Sequence, residues 1–407
     1  MTIIGTRTIA VVVALAALEL SLRYAGGLGR WSASEQSERY GWRMLPSQDA
    51  LSRELTVEEH INAAGFRDRE WAPPQPDPVA LAALKSQAEK DAKAAPPTKG
   101  PWLKDEGVFR VALVGNSMTF GTSVTMADTW GRQLEDALKQ DFAARGVKRT
   151  PLVMNFAVQG YVFEQMARVY EDRIRPYRPD LLIIPMHPHD ITPMKPAQDD
   201  PDYDFRTLIL RSATYAWLSR DVINHWMPPP APPAEALAAR QAAEAADAAI
   251  TFAPFAPGSQ PYWATMIQRL DGMRQMVEAD GGHLVIVSLP RWRSMFEPKL
   301  LGADSNWAPY AKLHPGTLHA DPLPDFRPPM AALVKEITDK HIPATETYDL
   351  RTVTWKDAQG VEHLGTDLEH ADDSLFLLYD TGHYTVAGHA LLGPVVFREL
   401  SGAGMLP

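Results

Sequence analysis

The stretch VFRVALVGNSMTFG, residues 108–121, is the part of the sequence that best indicates the fold class. Its first seven residues are mostly apolar, as expected for a strand that is buried on both faces. The apolar run ends at Gly115, and Ser117 follows at once. In sheets of parallel strands, ligands bind at the carboxyl ends of the strands. Residues that directly follow each strand are therefore the first candidates for function.

Outward from this stretch, predicted strands and helices alternate along the chain. Further strands are predicted over residues 152–157, 181–186, 284–289 and 346–350. Apolar residues recur at helical spacing after Asp128 and in segments 163–174, 263–277 and 330–337. Strands separated by helices predict an α/β fold: a flavodoxin-like three-layer sandwich with a parallel sheet and helices on both faces.

Composition excludes several classes of function. The chain has 407 residues, with 50 acidic and 40 basic side chains and a net charge of -10. This balance disfavours a protein that binds the phosphate backbone of nucleic acids. The chain has no cysteine, which excludes disulfides, thiolate zinc sites and a cysteine nucleophile.

The N-terminal residues have the pattern of a membrane-targeting segment. Arg7 precedes an apolar run over residues 9–18, and Glu19 and Arg23 then stand four residues apart, so on a helix they share one face. A membrane span needs roughly 20 mostly apolar residues, which this segment reaches only when its ends are counted. No convincing cleavage site follows, and we predict an uncleaved signal anchor over residues 1–26. The alternative is an amphipathic helix packed on the folded domain.

Two segments have the composition of solvent-exposed linkers or insertions outside the folded core. Residues 72–101 are rich in Pro, Ala and Lys, and residues 228–249 begin with a proline run followed by an alanine-rich stretch. We therefore predict an N-terminal extension with a linker over residues 27–104. A catalytic domain is predicted over residues 105–400, with an insertion at 228–250.

Four polar blocks carry the candidate chemistry. Ser117 follows the first strand, residues 155–161 the second and residues 187–190 the third, while Asp380 and His383 lie near the C-terminus. A serine hydroxyl is a weak nucleophile until a base removes its proton, and that base needs a group to orient it. Asp380 and His383, three residues apart on one turn, can supply both roles.

Together, these blocks resemble the SGNH (GDSL-like) hydrolase superfamily. The first block resembles the GDSxTFG pattern of that superfamily, with Asn116 in place of the usual aspartate, and the last resembles its D-x-x-H pattern. The resemblance implies that Ser117 is the nucleophile and that Asp380 and His383 are its partners. It also implies that the amides of Ser117 and Gly160 form part of an oxyanion hole. The stretch INAAGFRDRE, residues 61–70, and the leader are similar to membrane-anchored members.

The third block departs from the family pattern G-x-N-D. His189 stands where the family has asparagine, and an imidazole N–H can also donate to an oxyanion. Another interpretation is a metal site, since His187 and His189 are spaced like metal ligands and Asp190 follows. No third or fourth ligand is evident nearby, so we predict neither a metal nor a cofactor.

The resemblance implies a serine-dependent ester hydrolase, such as an O-deacylase of an acylated glycan. The location implied is the bacterial inner membrane, with the catalytic domain periplasmic or extracellular. One alternative is an O-acyltransferase of an exported glycan, and another is a catalytically silent glycan-binding or scaffold protein. Ser117 can also be interpreted as a helix N-cap, Asp380 and His383 as a surface pair that caps the last helix, and His389 as a structural histidine. The expected partners are a small-molecule or glycan ester and the membrane, without nucleic acid.

Overall fold

The computed structural model describes residues 11, 13–21, 34–51, 57–90, 100–192, 194, 214, 260–296, 304–342 and 349–407. The chain forms two compact units. The first takes its described residues from Met1–Glu70 and Lys195–Glu244, and the second from Trp71–Met194 and Ala245–Pro407. Residues 71–90 and 100–104, which the sequence analysis groups with the N-terminal extension, are part of the second unit. The predicted insertion at 228–250 lies outside the described residues.

The described residues of the first unit include two antiparallel strand pairs. Strand β1 (Ser34–Ser37) pairs with β2 (Gly41–Met44), and β3 (Gln48–Leu51) pairs with β4 (Glu58–Ile61).

A polar turn follows β4, and its hydrogen bonds explain why Asn62, Gly65 and Glu70 occur in the stretch INAAGFRDRE, residues 61–70. The Asn62 side chain is fully buried, and its Oδ1 accepts hydrogen bonds from the amides of Ala64 and Phe66 at 3.0 and 3.1 Å. Gly65 adopts a φ of 83°, in the left-handed region that favours glycine. The Glu70 carboxylate accepts from the amide of Ala63 at 2.9 Å and closes the turn.

Residues 13–21 are helical, and their apolar side chains are exposed, Leu15 and Leu20 at 54% each. Among the described residues, no helix is long and apolar enough to cross a membrane. The signal anchor and the cellular location stay predictions.

The core of the second unit is a five-stranded parallel sheet. Its strands are β5 (Val108–Leu113), β6 (Thr150–Asn155), β7 (Leu181–Met186), β8 (His283–Ser288) and β9 (Leu318–Ala320). They lie in the order β6-β5-β7-β8-β9, and every pairing is parallel. Counted along the chain this is the order 2-1-3-4-5, the flavodoxin-like order, which confirms the predicted α/β class.

Helices surround the sheet. Among the described residues of the second unit, the α-helices are α1 (Pro78–Lys90), α2 (Ser117–Phe120), α3 (Trp130–Arg145), α4 (Phe163–Val169), α5 (Gln260–Ala279), α6 (Trp292–Phe296), α7 (Asp304–Leu313), α8 (Leu323–Asp339) and α9 (Val386–Gly402). The same residues also form two short antiparallel pairs: β10 (Thr354–Lys356) with β11 (Glu362–Leu364), and β12 (Phe376–Leu377) with β13 (Asp380–Tyr384).

Both faces of the sheet are buried because helices cover each of them. Val111, Ile183 and Val285 share one apolar cluster with side chains of α3, α8 and α9. Their neighbours Ala112 and Leu182 point to the opposite face, as successive residues of a strand do, and are also fully buried. On that side, α5 packs against β8 and α4. This arrangement is the predicted three-layer sandwich.

A final strand is predicted at residues 346–350, but residues 349 and 350, the part of it that the structure describes, do not form a strand. Leu350 begins a turn of 3₁₀-helix, Leu350–Thr352, and residues 343–348 lie outside the described part of the chain. The fifth strand of the sheet is instead Leu318–Ala320. With only three residues, this edge strand is too short to produce a detectable hydrophobic pattern.

Candidate active site

Ser117 sits where the interior strand β5 turns into helix α2. Strand β5 ends at Leu113, and α2 begins at Ser117 itself. Gly115 makes this tight turn possible, because a Cβ atom there would lie 2.5 Å from Thr119 Oγ1. The nucleophile candidate is thus held at the carboxyl end of the central part of the sheet, where such folds bind ligands.

Asn116 is the N-cap of α2, a role that one interpretation of the sequence gives to Ser117. Its Oδ1 accepts a hydrogen bond from the amide of Met118 at 3.1 Å. Its Nδ2 donates to Asp190 Oδ1 at 3.0 Å. The hydroxyl of Ser117 is consequently not used in capping, and Asn116 ties the serine turn to the segment after β7.

Asp190 is a buried carboxyl group that organises this part of the site. Its second oxygen, Oδ2, accepts from the amide of His187 at 2.7 Å. Burial raises the pKa of Asp190 to about 7, although the His187 amide, the Asn116 side chain and the charge of Arg291 act to lower it. Asp190 therefore holds two loop segments together through both of its oxygens.

Asn116→Asp is expected to destabilise the protein increasingly as the pH rises. An ionised aspartate cannot donate to Asp190, and two carboxyl groups about 3 Å apart retain a shared proton. The pKa of such a pair is raised on folding, so its stabilising contribution is present at acidic pH and is lost as the pH rises through the folded-state pKa. We expect the free energy of unfolding to fall below that of the wild type by about 1–3 kcal/mol at alkaline pH and by less in acid. Urea unfolding at about pH 5 and about pH 8 measures the difference.

The matched control for this change is the double variant Asn116→Asp with Asp190→Asn. It exchanges the amide and the carboxylate and so restores one donor–acceptor pair across the contact. The double variant should recover most of the stability that the single variant loses at alkaline pH. An equal loss for Asn116→Asp at both pH values would contradict the role of the Asn116–Asp190 hydrogen bond.

The segment after β6 brings Gly160 to the same place. Asn155, the last residue of β6, donates to the carbonyl oxygen of Thr119 at 3.0 Å and accepts from the amide of Ala157 at 3.0 Å. These bonds link this segment to α2. Gly160 adopts a φ of 75° and is exposed. Among the described residues, no acceptor faces the amides of Gly160 or Ser117.

The C-terminal hairpin supplies an imidazole and a carboxylate. His383 Nε2 lies 2.7 Å from Ser117 Oγ, and His383 Nδ1 lies 2.6 Å from Asp380 Oδ2. The other oxygen of Asp380 accepts from the amide of Gly382 at 3.0 Å. The two residues lie on strand β13, and not on one turn as the sequence suggests, because the segment pairs with β12.

These contacts determine where the protons lie in the trio formed by Ser117, His383 and Asp380. An ionised carboxylate only accepts, so His383 carries its proton on Nδ1 and presents an unprotonated Nε2 to the serine hydroxyl. Partial burial acts to raise the pKa of Asp380, but the hydrogen bond and charge of His383 and the Gly382 amide together hold that pKa below its ordinary value. Asp380 is thus kept ionised, and Ser117 can donate its hydroxyl proton to the imidazole.

The last helix does not use this pair for capping. Its N-cap is Thr385, whose Oγ1 accepts from the amide of Gly388 at 3.2 Å. His389 is buried on α9, and its Nδ1 accepts from the amide of Trp130 at 3.2 Å. This contact confirms the interpretation of His389 as a structural histidine, since it caps the start of α3.

An open pocket of about 180 Å³ lies beside Ser117 and His383. Ser117, Gly160 and His383 line it, as the sequence predicts for residues after the strands. Arg291 and Trp292 also line it, and the sequence reading missed both. They lie three and four residues after the end of β8, so they too are near the carboxyl end of a parallel strand, where ligands bind.

The side chain of His189 lies outside the described residues, so its contribution to an oxyanion hole stays a prediction. Its backbone belongs to a 3₁₀-turn, Pro188–Ile191. Within the described residues, no group of three or more His, Asp or Glu side chains is placed to hold a metal ion.

No family model and no curated protein match the chain. Similar solved structures include the lipase/acylhydrolase from Enterococcus faecalis, which is 15% identical with a TM-score of 0.35 over 72% of this chain and 95% of that one. A GDSL-like lipase from Bacteroides thetaiotaomicron is 15% identical with a TM-score of 0.32, over 79% and 99% of the two chains. A two-domain esterase active on acetylated mannans is 10% identical with a TM-score of 0.36, over 81% and 55%. Because these scores are low, we infer function from the chain's own geometry.

Proposed function

We propose that this protein hydrolyses carboxylic ester bonds through a Ser117–His383–Asp380 triad. The observation that carries the proposal is the continuous hydrogen-bonded chain from Ser117 Oγ through the imidazole of His383 to Asp380, with 2.7 and 2.6 Å between the atoms. Nucleophile, base and orienting group in this geometry are what acyl transfer by serine requires.

In the proposed reaction, Ser117 Oγ attacks the ester carbonyl carbon while His383 Nε2 takes the hydroxyl proton. The imidazolium that forms is stabilised by Asp380 and then returns the proton to the leaving alcohol oxygen. Water hydrolyses the resulting acyl-enzyme with His383 again acting as base, which releases the carboxylic acid and regenerates the serine.

The amides of Ser117 and Gly160 are the proposed donors to the oxyanion that develops on the carbonyl oxygen. Both residues line the pocket, and neither amide has an acceptor among the described residues. Preorganised donors of this kind stabilise a tetrahedral intermediate, and each typically contributes about 10²- to 10³-fold to turnover. His189 is a further proposed donor through its imidazole N–H.

Covalent labelling tests the proposal directly. A fluorophosphonate probe should react with the intact chain, and peptide mass spectrometry should locate the adduct on Ser117, because only an activated serine attacks phosphorus readily. Another serine next to a histidine is the internal control: Ser288 Oγ lies 2.8 Å from His319 Nε2, away from the pocket, and should stay unlabelled. Absence of label on Ser117 would favour the catalytically silent alternative.

An O-acyltransferase would use the same trio, with a sugar hydroxyl in place of water. Product analysis with and without a glycan acceptor separates the two reactions. Release of free acid at the same rate under both conditions supports hydrolysis, whereas appearance of an acylated glycan supports transfer.

A further inference from the structure

The base and the acid of the proposed triad lie on a hairpin that is separate from the five-stranded sheet. In the described part of the chain, β12 and β13 pair with each other alone, Phe376 with Tyr384 and Leu377 with Asp380. The register shifts between these two pairs. A two-stranded hairpin is marginally stable by itself. Contacts with the rest of the domain must therefore fix where the hairpin, and with it His383, lies.

A buried hydrogen bond of Tyr384 is such a contact. The Tyr384 hydroxyl donates to the carbonyl oxygen of Pro290 at 2.6 Å, and both residues are buried. Successive side chains of a strand point to opposite faces, so His383 lines the pocket while Tyr384 points into the core. There, its ring packs against Phe326 and Phe376, with ring centroids 5.4 and 5.3 Å away. Tyr384 thus ties the strand that carries the base to the segment that follows β8.

The segment that follows β8 is itself fixed relative to Ser117 through the parallel sheet. The amide of Leu289, the residue before Pro290, donates to the carbonyl oxygen of Met186 on β7 at 3.0 Å. Strand β7 also pairs with β5, and the amide of Val114 extends that pairing by donating to a carbonyl oxygen of β7 at 3.1 Å. Ser117 follows Val114 by three residues. Hydrogen bonds of the sheet therefore give the Pro290 carbonyl oxygen a defined position relative to the nucleophile.

We propose that Tyr384 is a positioning residue, whose hydroxyl holds the hairpin where His383 Nε2 reaches Ser117 Oγ. This inference rests on the proposed function. The 2.7 Å contact between His383 and Ser117 joins the hairpin to α2, whereas the 2.6 Å contact between His383 and Asp380 lies within the hairpin. A displaced hairpin therefore keeps its acid–base pair and loses its contact with the nucleophile. Misplacement of a catalytic group by about 1 Å lowers a reaction rate by as much as about 10²-fold.

Tyr384→Phe tests the proposal because it removes the hydroxyl and keeps the ring. The buried carbonyl oxygen of Pro290 loses this donor, so a shift of the hairpin that brings water to the oxygen becomes favourable. We expect kcat for para-nitrophenyl acetate to fall about 10- to 100-fold, with KM changed by less than about twofold. The rate at which a fluorophosphonate labels Ser117 should fall by a similar factor, because that reaction also needs the base. Wild-type kcat in the folded variant would overturn the inference.

Two controls separate positioning from a general loss of structure. Tyr310→Phe is the matched control: the Tyr310 hydroxyl donates to Asp271 Oδ1 at 2.7 Å, and neither residue lines the pocket. This variant should keep wild-type kcat. Phe142→Leu removes part of a buried ring from α3 away from the pocket, so it should lower the urea midpoint of unfolding without lowering kcat. A fall in kcat in either control equal to that in Tyr384→Phe would contradict the positioning role.

A structural measurement separates this inference from the proposed hydrolysis. In a crystal structure of Tyr384→Phe, His383 Nε2 and Ser117 Oγ should lie more than about 3.2 Å apart, while the contact between His383 and Asp380 persists. This result supports the positioning role even if the wild type hydrolyses no ester. A wild-type separation rejects the positioning role and leaves the proposed function intact.

Phe376→Leu is the second variant if Tyr384→Phe does not fold. It removes part of a ring that holds the Tyr384 hydroxyl against Pro290, and it leaves the hydroxyl itself in place. The same changes in kcat and in the distance between His383 and Ser117 are expected, to a smaller extent. Wild-type values of both quantities in this variant would overturn the inference.

Discussion

Ser117→Ala is expected to lower kcat for a small aryl ester about 10⁴- to 10⁶-fold, because the covalent step loses its nucleophile. The remaining turnover would come from the amides and from binding alone. The side chain is only partly buried, so the free energy of unfolding should change by about 0.5 kcal/mol or less. Stopped assays of para-nitrophenyl acetate hydrolysis, with chemical denaturation of the same preparations, measure both quantities.

Ser288→Ala is the matched control for this prediction. It removes a hydroxyl from another serine that lies within hydrogen-bond distance of a histidine, His319, at 2.8 Å. Because Ser288 does not line the pocket, its variant should retain wild-type turnover. Wild-type activity in Ser117→Ala would reject the triad, whatever the behaviour of the control.

Asp380→Asn is expected to lower kcat about 10⁴-fold with little change in KM. Asp380 Oδ1 accepts from the Gly382 amide, so the asparagine oxygen will keep that position and its Nδ2 will face the imidazole. The amide then donates to His383 Nδ1, which forces the ring proton onto Nε2. A protonated Nε2 cannot take the proton of Ser117. Steady-state kinetics near neutral pH test this outcome.

A second aspartate–histidine pair with the same spacing is the control. His370 Nδ1 lies 3.0 Å from Asp373 Oδ2, and the two residues are also three apart in sequence. Both are partly exposed and neither lines the pocket. Asp373→Asn should therefore leave kcat unchanged. A comparable loss in both variants would point to a general electrostatic effect and would reject the proposed orientation of His383.

The sheet is the part of the fold that the sequence predicted best. Strands β5, β6, β7 and β8 lie within two residues of their predicted limits, since each is a buried apolar run with clear ends. Strand β9 was missed because it is a three-residue edge strand that depends on pairing with β8. Short elements of this kind are determined by tertiary contacts, which local patterns do not record.

The sequence singles out Ser117, Asp380 and His383, whose side chains the structure brings within hydrogen-bond distance, but it does not show the other contacts around them. Local spacing does not show that Asn116 and Asp190, 74 residues apart, form a buried hydrogen bond. The same holds for β13, whose strand conformation depends on pairing with β12. Arg291 differs, because its place two residues after the predicted strand 284–289 is visible in the sequence.

The hydrogen bond between Ser117 and His383 joins residues that are 266 positions apart in the chain. During synthesis, the serine therefore leaves the ribosome long before its base has been made. Until the final hairpin docks, the hydroxyl has no imidazole beside it and is an ordinary alcohol. Under the proposed mechanism, ester hydrolysis therefore begins only when this hairpin has docked, and its loss on heating will report the detachment of the hairpin as well as global unfolding.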